Sequence, residues 1–585
     1  MAKLYEGARK KIHKLLLKIY PEGHITDAYL ERLYQLIENN LYHVSCSLNK
    51  WDETDTVLIT CGNSIVEEQD PSTPLQTLHA FLKDHLKKVI RNVHILPFTP
   101  YSSDNGFSVI DYYQVNPTLG SWQDLQQISK DFGLMADLVI NHVSTQSQWF
   151  QNYLQGKSPG KDYFIELDPD TDLSQVTHPI NTPLLTRFQT SRGEKYVWTT
   201  FSPHQADLDF SNPEVFLEML GVLFFYINQG IRIIRLDAIA YLWKEVGTSC
   251  IHLPQTHHIV RLIRELAELV HPDTIILTQT NVPDRENLSY FGTKGEEAHM
   301  IYQFPLPPLL LHTLHRGSSK YLTKWTRQVP DPGDEATYFN FTASQDGIAL
   351  LPAEGLIPQE KMDQMMEKMK DFGGYVSTKT NADGSESPYE INITYFDALK
   401  GTHQGRDELQ IGRFICSQTI MMSLRGIPGF YIHSLTATEN DQEGVKHTGK
   451  PRSINRKKWT WQELKGKLND QEDPAHQVFT ELKRLMSIRN SQKAFHPNTP
   501  QETLDLGESL FALKRTPASG ETIWSISNIT GHKQEFNPEH LDGKGTLHDL
   551  ISGKTFEDKA NITLKPYQTA WLITTQRTDQ RLAQR

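Results

Sequence analysis

Five short stretches hold residues whose types and spacing could do chemistry on a small polar molecule. "IRLDA" sets Arg235 and Asp237 two positions apart. On an extended strand two such residues share a face, where a guanidinium lowers the pKa of a carboxylate and keeps it ionised, as a nucleophile must be. The plainer alternative is a structural ion pair. "DLVINHVS" offers Asp137, Asn141 and His142, "TASQDG" offers Gln345 and Asp346, and "SSDNGF" offers Asp104. Taken alone, His142 fits a hydrogen-bonded core histidine, and Asp-Asn-Gly is good turn chemistry. "IILTQTN" delivers Gln279, a carboxamide that can hydrogen-bond but has no proton to donate at neutral pH.

These residues need elements to hold them. Short apolar runs alternate with amphipathic stretches, which predicts βα units around a parallel sheet. Eight candidate strands follow: 56–60, 93–98, 135–140, 231–236, 275–279, 300–304, 338–343 and 429–434. Eight closes a (β/α)8 TIM barrel, in which reacting groups project from the C-terminal ends of the strands. Asp137, Asn141, His142, Arg235, Asp237, Gln279, Gln345 and Asp346 all fall at such ends.

Two connections are too long for one helix and its loops. The first, after the third strand, predicts a small irregular β-rich inserted domain. The second contains "TKTNADGSESPYEINITYFDAL", whose Asn, Asp, Gly and Ser cluster predicts a mobile loop. Past about residue 500, short β-like runs separated by turns predict a C-terminal β domain. The expected division is an N-terminal helical extension at 1–50, the barrel at 51–144 and 215–495, the inserted domain at 145–214, and the C-terminal domain at 496–585.

A net charge of −11 argues against general attraction to nucleic acid or anionic lipid. Cys46, Cys61, Cys250 and Cys416 have no metal or disulfide spacing and suit free thiols in a reducing compartment. The basic N-terminus reads as an amphipathic surface helix stopped before Pro21, with no membrane role. A cytoplasmic protein is expected, with a homodimer left open.

Longer stretches carry a resemblance. "DLVINH", "IRLDA", "ILTQTN" and "TASQD", with "QADLD" at 205–209, resemble the characteristic regions of glycoside hydrolase family 13, the α-amylase family. "HILPFTPYSSDNGFSVIDY", "NVPDRENLSYFG" and "SINRKKW" resemble its sucrose phosphorylase-like branch, and most of all the group that acts on glucosylglycerate. The resemblance implies reversible transfer of glucose from a small α-glucoside (glucosylglycerate, sucrose 6-phosphate or sucrose) to inorganic phosphate, with no cofactor and no metal. It implies Asp237 as nucleophile, Asp346 as transition-state stabiliser, and Asp104, His142, Arg235 and Arg456 around the glucose. Gln279 stands where the family has its acid/base glutamate, and Gln345 where it usually has histidine. For phosphate itself, Arg187, Lys446 and His447 remain alternatives.

A glutamine at 279 keeps the shape of the acid and removes its proton. Three explanations stay open: a deliberate change, a natural homologue whose catalysis has decayed, or recruitment of another acid, with Asp284 and Glu286 near in sequence. A glucoside-binding protein without turnover, and a hydrolase or transglucosidase of the same family, are the rival readings.

Overall fold

The computed structural model describes residues 5–41, 50–68, 72–179, 182–380, 385–543, 545–557 and 561–575. Eight parallel strands close a barrel: β1 (Val57–Thr60), β2 (Asn92–Ile95), β3 (Gly133–Val139), β4 (Ile231–Asp237), β5 (Ile275–Thr278), β6 (Met300–Tyr302), β7 (Thr337–Phe341) and β8 (Ile427–Tyr431). Each pairs with its sequence neighbour, and β8 closes on β1. The strands read as apolar runs because both faces are covered: Val57, Leu58, Ile234, Ile276, Leu277 and Phe339 are all buried.

The strands stop short of several expected ends. The run to Phe98 leaves the ladder after Ile95, and Ile432–Leu435 turns into a short helix rather than continuing β8. Gln279, Gln345, Asp346, Asn141 and His142 therefore stand just beyond the strands, where the backbone turns across the barrel mouth.

After β3 the chain forms a small β-rich insertion. His142–Ser144 pairs antiparallel with Gln205–Asp207, and a second sheet is built from 166–167, 185–190 and 193–198. The mobile loop expected between β7 and β8 is corrected. Its flanks form an antiparallel hairpin, Tyr375–Thr380 with Glu386–Asn392, and the second strand also pairs with Ile348–Ala349. Only the Asn-Ala-Asp-Gly cluster at 381–384 lies outside the described residues. β-Branched and aromatic residues on both flanks, Val376, Thr378, Tyr389 and Ile391, favour pairing over an open loop.

At the C-terminus, strands within 501–575 form a six-stranded antiparallel sheet. Its alternation divides two cores. Leu510, Ala512 and Ile526 join a local cluster, whereas Phe511, Leu513 and Trp571 face the barrel core. At the other end, α1 (Glu6–Ile19) buries Ile12, Leu15, Leu16 and Ile19 and packs on the helix Pro254–Val270. α2 (Asp27–Asn40) packs beside it, and among the described residues no helix is long and apolar enough to cross a membrane.

Of the four cysteines, Cys61, Cys250 and Cys416 are free thiols, and Cys46 lies outside the described residues.

Candidate active site

β3 and β4 run in register so that Arg235 sits beside Asp137, and Asp237 follows two residues on along the same face. The Arg235 guanidinium hydrogen-bonds Asp137 and also donates to Asp237 Oδ1 at 2.8 Å. His94 Nε2 lies 2.8 Å from the other Asp137 oxygen. The rings of Phe107 and Tyr302 each lie 5.7 Å from the guanidinium carbon and exclude water from it. Arg235 is thus a buried support beneath Asp237, not a residue lining the cavity, which corrects that expectation.

A second correction concerns charge. Arg235 was expected to hold Asp237 ionised. Burial dominates and pushes Asp237 up to about 7, against the pull of Arg235 and with help from the nearby carboxylates Asp137 and Asp346. Asp137 goes the other way: burial alone would raise it, but Arg235 and His94 outweigh that and lower it. One guanidinium is shared between two carboxylates, and the more tightly held one takes more of its benefit.

Above Asp237 lies a cavity of about 150 Å³, room for one six-membered ring. Asp104, His142, Asp237, Gln279 and Asp346 line it together, walled by Phe107, Phe201, Phe304, Phe341, Tyr389 and Tyr395. Asp104 has a left-handed backbone, φ 54°, in the one-turn helix Asp104–Gly106. The turn packs closely: a Cβ on Gly106 would lie 2.7 Å from the Pro97 side chain, so only glycine at that position lets it approach β2's exit. Ala238, directly after Asp237, is also left-handed at φ 51°. Non-glycine residues hold that conformation where surrounding structure imposes it, and such strain gathers at functional sites. Gln279 Oε1 accepts the Ala238 N–H at 3.3 Å, so the carboxamide leans on the backbone beside Asp237.

His142 is buried, with Nε2 2.9 Å from the Phe107 carbonyl and Nδ1 3.3 Å from Asn141 Nδ2. Burial lowers its pKa, opposed by Asp207, which favours a neutral ring. Asn141 belongs to a buried polar knot: Lys244 Nζ meets Asn141 Oδ1 and Asp207 Oδ2 at 2.6 Å each, and Thr200 donates both N–H and O–H to Asp207. Lys244, whose side chain is 4% exposed, ties the insertion to the barrel.

Gln345 and Arg456 do not line this cavity. They line a neighbouring one of about 510 Å³, which shares Phe107 with the first. Arg456 Nε donates to the Gln345 carbonyl at 2.7 Å, and Nη2 lies 3.6 Å from Asp346. The cation closest to Asp346 is Arg452, at 2.9 Å, which also makes two hydrogen bonds to Glu390 at 2.7 and 2.9 Å. Arg452, Glu390 and Tyr389 are cavity residues the sequence reading missed. The signal was present in "PRSINR", where Arg452 precedes Arg456 by one helical turn, but Glu390 sits on the hairpin read as a loop.

Other candidates fall away from the cavity. Asp284 and Glu286 lie on a short helix, Asp284–Leu288, not in a loop. Trp325 holds the first and His252 the second, and neither lines the cavity. Arg187 is exposed and pairs with Glu194, Lys446 pairs with Glu443, and His447 lines the second cavity. Among the described residues no cluster of three or more His, Cys, Asp or Glu could hold a metal ion.

Carboxylates around a ring-sized hollow at the C-terminal mouth of a parallel barrel define a class, and sequence comparison agrees: the chain belongs to the α-amylase family, glycoside hydrolase family 13, in its sucrose phosphorylase-like branch. The family profile described as Alpha amylase, catalytic domain, matches residues 84–329. The chain is 45% identical over 533 residues to the glucosylglycerate phosphorylase of Spirochaeta thermophila, covering 89% of this chain and 90% of that protein. To the glucosylglycerate phosphorylase of Escherichia coli it is 41% identical over 566 residues, covering 96% and 100%. Its fold is similar to the crystal structure of sucrose 6F-phosphate phosphorylase from Thermoanaerobacter thermosaccharolyticum, with TM-score 0.72 and 25% identity over 90% of this chain and all of that one.

Proposed function

We propose that the chain is a glucoside phosphorylase scaffold that moves glucose from a small α-glucoside to phosphate and releases α-glucose 1-phosphate, with glucosylglycerate as the first donor to try. The observation that carries this reading is that Asp237, Gln279 and Asp346 line one ring-sized cavity. In the scheme, ionised Asp237 attacks the anomeric carbon, the bond to the aglycone oxygen breaks and that oxygen leaves as an alkoxide that takes its proton from water, and a β-glucosyl ester forms through an oxocarbenium-like transition state. Phosphate then attacks the ester carbon and frees the carboxylate, with net retention. Asp346 and Asp104 hold sugar hydroxyls, and His142, a neutral ring whose N–H is held by the Phe107 carbonyl, lines the cavity wall beside them. Gln279 can hydrogen-bond the departing oxygen but cannot protonate it, so turnover of natural glucosides is depressed.

That same glutamine favours a second reading, a protein that binds a glucoside without turning it over. α-Glucosyl fluoride separates the two, because fluoride leaves without protonation. With phosphate present, the chain is expected to form glucose 1-phosphate from the fluoride while natural glucosides react slowly. No product from the fluoride would end the phosphorylase reading, and free glucose in place of the phosphate ester would favour a hydrolase.

The pKa of Asp237 gives this assay a pH signature. The nucleophile must be ionised, so kcat/KM for the fluoride, which reports the free enzyme, is expected to rise with pH and level off above about 7. Between the ordinary value of 3.8 and about 7 the folded chain retains a proton that the unfolded chain has lost. Stability from this group is therefore present at low pH and declines as pH rises across that interval. A flat kcat/KM profile from pH 5 to 8 would contradict the assignment.

A further inference from the structure

Of the three residues that meet at the sugar cavity, Asp346 has the least support from its own strand. Asp237 ends β4 and Gln279 directly follows β5, whereas Asp346 stands five positions beyond Phe341, the last residue of β7. The pairing of β7 with its neighbours stops at Phe341, so the carbonyls of 344–346 need other partners.

Two adjacent residues of the later stretch "SINRKKW" supply them. Asn455 Nδ2 donates to the Ser344 carbonyl at 3.1 Å and to the Asp346 carbonyl at 2.9 Å, while Arg456 Nε donates to the Gln345 carbonyl between them. Three consecutive carbonyls are fastened from outside. Both hydrogens of the Asn455 amide are spent on carbonyls, which fixes the orientation of the group, because Oδ1 could not accept from either one. Asn455 is buried, and its own main-chain carbonyl accepts the Tyr431 hydroxyl at 2.9 Å. Tyr431 is the last residue of β8. Support therefore runs from a barrel strand through Tyr431 and Asn455 to the turn that carries Asp346.

We infer that Asn455 is a positioning residue for the glucosyl transfer, acting through Asp346 by clamping the backbone on either side of it. The inference rests on the proposed role of Asp346 toward the bound sugar. A displacement of about 1 Å in such a group can cost on the order of 10² in rate. Asn455 also lines the ring-sized cavity, where its Oδ1 is buried and has no hydrogen-bond partner among the described residues. A direct contact of that oxygen with the sugar would persist when Asp346 is removed, so the two roles are separable.

A double-mutant cycle on the full chain separates them, with Asn455→Ala and Asp346→Ala made singly and together and the thermal midpoint of each establishing that it is folded. The first readout is kcat for α-glucosyl fluoride with phosphate. Asn455→Ala is expected to lower it at least about tenfold in the wild-type background and less than about twofold once Asp346 is alanine. The second readout is affinity for glucose by calorimetry, which needs no turnover, and the same two substitutions are expected to be coupled there by at least about threefold. Should Asn455→Ala not fold, Asn455→Ser replaces it, since a hydroxyl cannot span both carbonyls, and the expected coupling is the same. Effects that simply multiply, in kcat and in affinity, overturn the inference. The two ideas fail differently. If only the transfer is wrong, wild type makes no glucose 1-phosphate and the substitutions remain coupled in glucose affinity; if only the clamp is wrong, wild type makes product and the losses multiply.

Discussion

Gln279→Glu is expected to raise turnover of a natural α-glucoside by at least about a hundredfold. General acid catalysis contributes roughly 10²–10⁴ in rate, about 3–5 kcal/mol of barrier, and an alkoxide leaving group needs it most. The substitution is nearly isosteric, and the side chain already lies against the Ala238 N–H beside Asp237. A carboxyl placed there can give its proton to the departing oxygen and later take one from the incoming phosphate. The same variant should change fluoride consumption much less, since that leaving group needs no acid. Initial rates on glucosylglycerate and on α-glucosyl fluoride, measured side by side, check both statements. An equal change on both substrates, or none on the glucoside, would mean that the missing proton is not the defect.

Asp237→Asn is expected to do the reverse. An amide cannot form the glucosyl ester, so product from the fluoride should fall by on the order of 10⁴ or more, the scale on which removal of an activated nucleophile operates. Stability should move in the other direction above neutral pH. An ionised Asp237 is a buried charge whose neighbour Arg235 is already engaged by Asp137, and the amide removes the cost of keeping it ionised. Arg235 retains Asp137, so the core is not left with a lone cation. A thermal midpoint at pH 8 equal to or above wild type, together with lost turnover, is the expected pair of results. A folded variant that still consumes the fluoride at the wild-type rate would place the nucleophile elsewhere.

How much of this was legible in the sequence depended on the range of the interactions. Barrel strands announce themselves locally, because a strand covered on both faces is a run such as "TIIL" or "IRII". Arg235 and Asp237 were legible for the same reason, since a separation of two on a strand fixes their common face. Arg452 was not. Its partners Glu390 and Asp346 lie 62 and 106 residues earlier, and nothing in the local pattern states which carboxylate a guanidinium will meet. The hairpin carrying Glu390 was misread because its turn residues are conspicuous and its paired flanks are short. The protonation of Asp237 was misjudged because neighbouring charge can be read from spacing whereas desolvation is a property of the assembled pocket. The second cavity was invisible at that stage, since residues from 61 to 458 build it.

The knot of Lys244, Asp207 and Asn141 bears on how such a chain can be re-engineered. Stretches inserted into barrels look like interchangeable modules, yet here the anion is on the graft and its counter-ion is on the host. Swapping the segment alone would strand one member of the pair in a dry interior, a penalty of several kcal/mol. A workable chimera has to cut outside both residues, so the transplantable unit extends past β4 to Lys244 and is longer than the visible insertion.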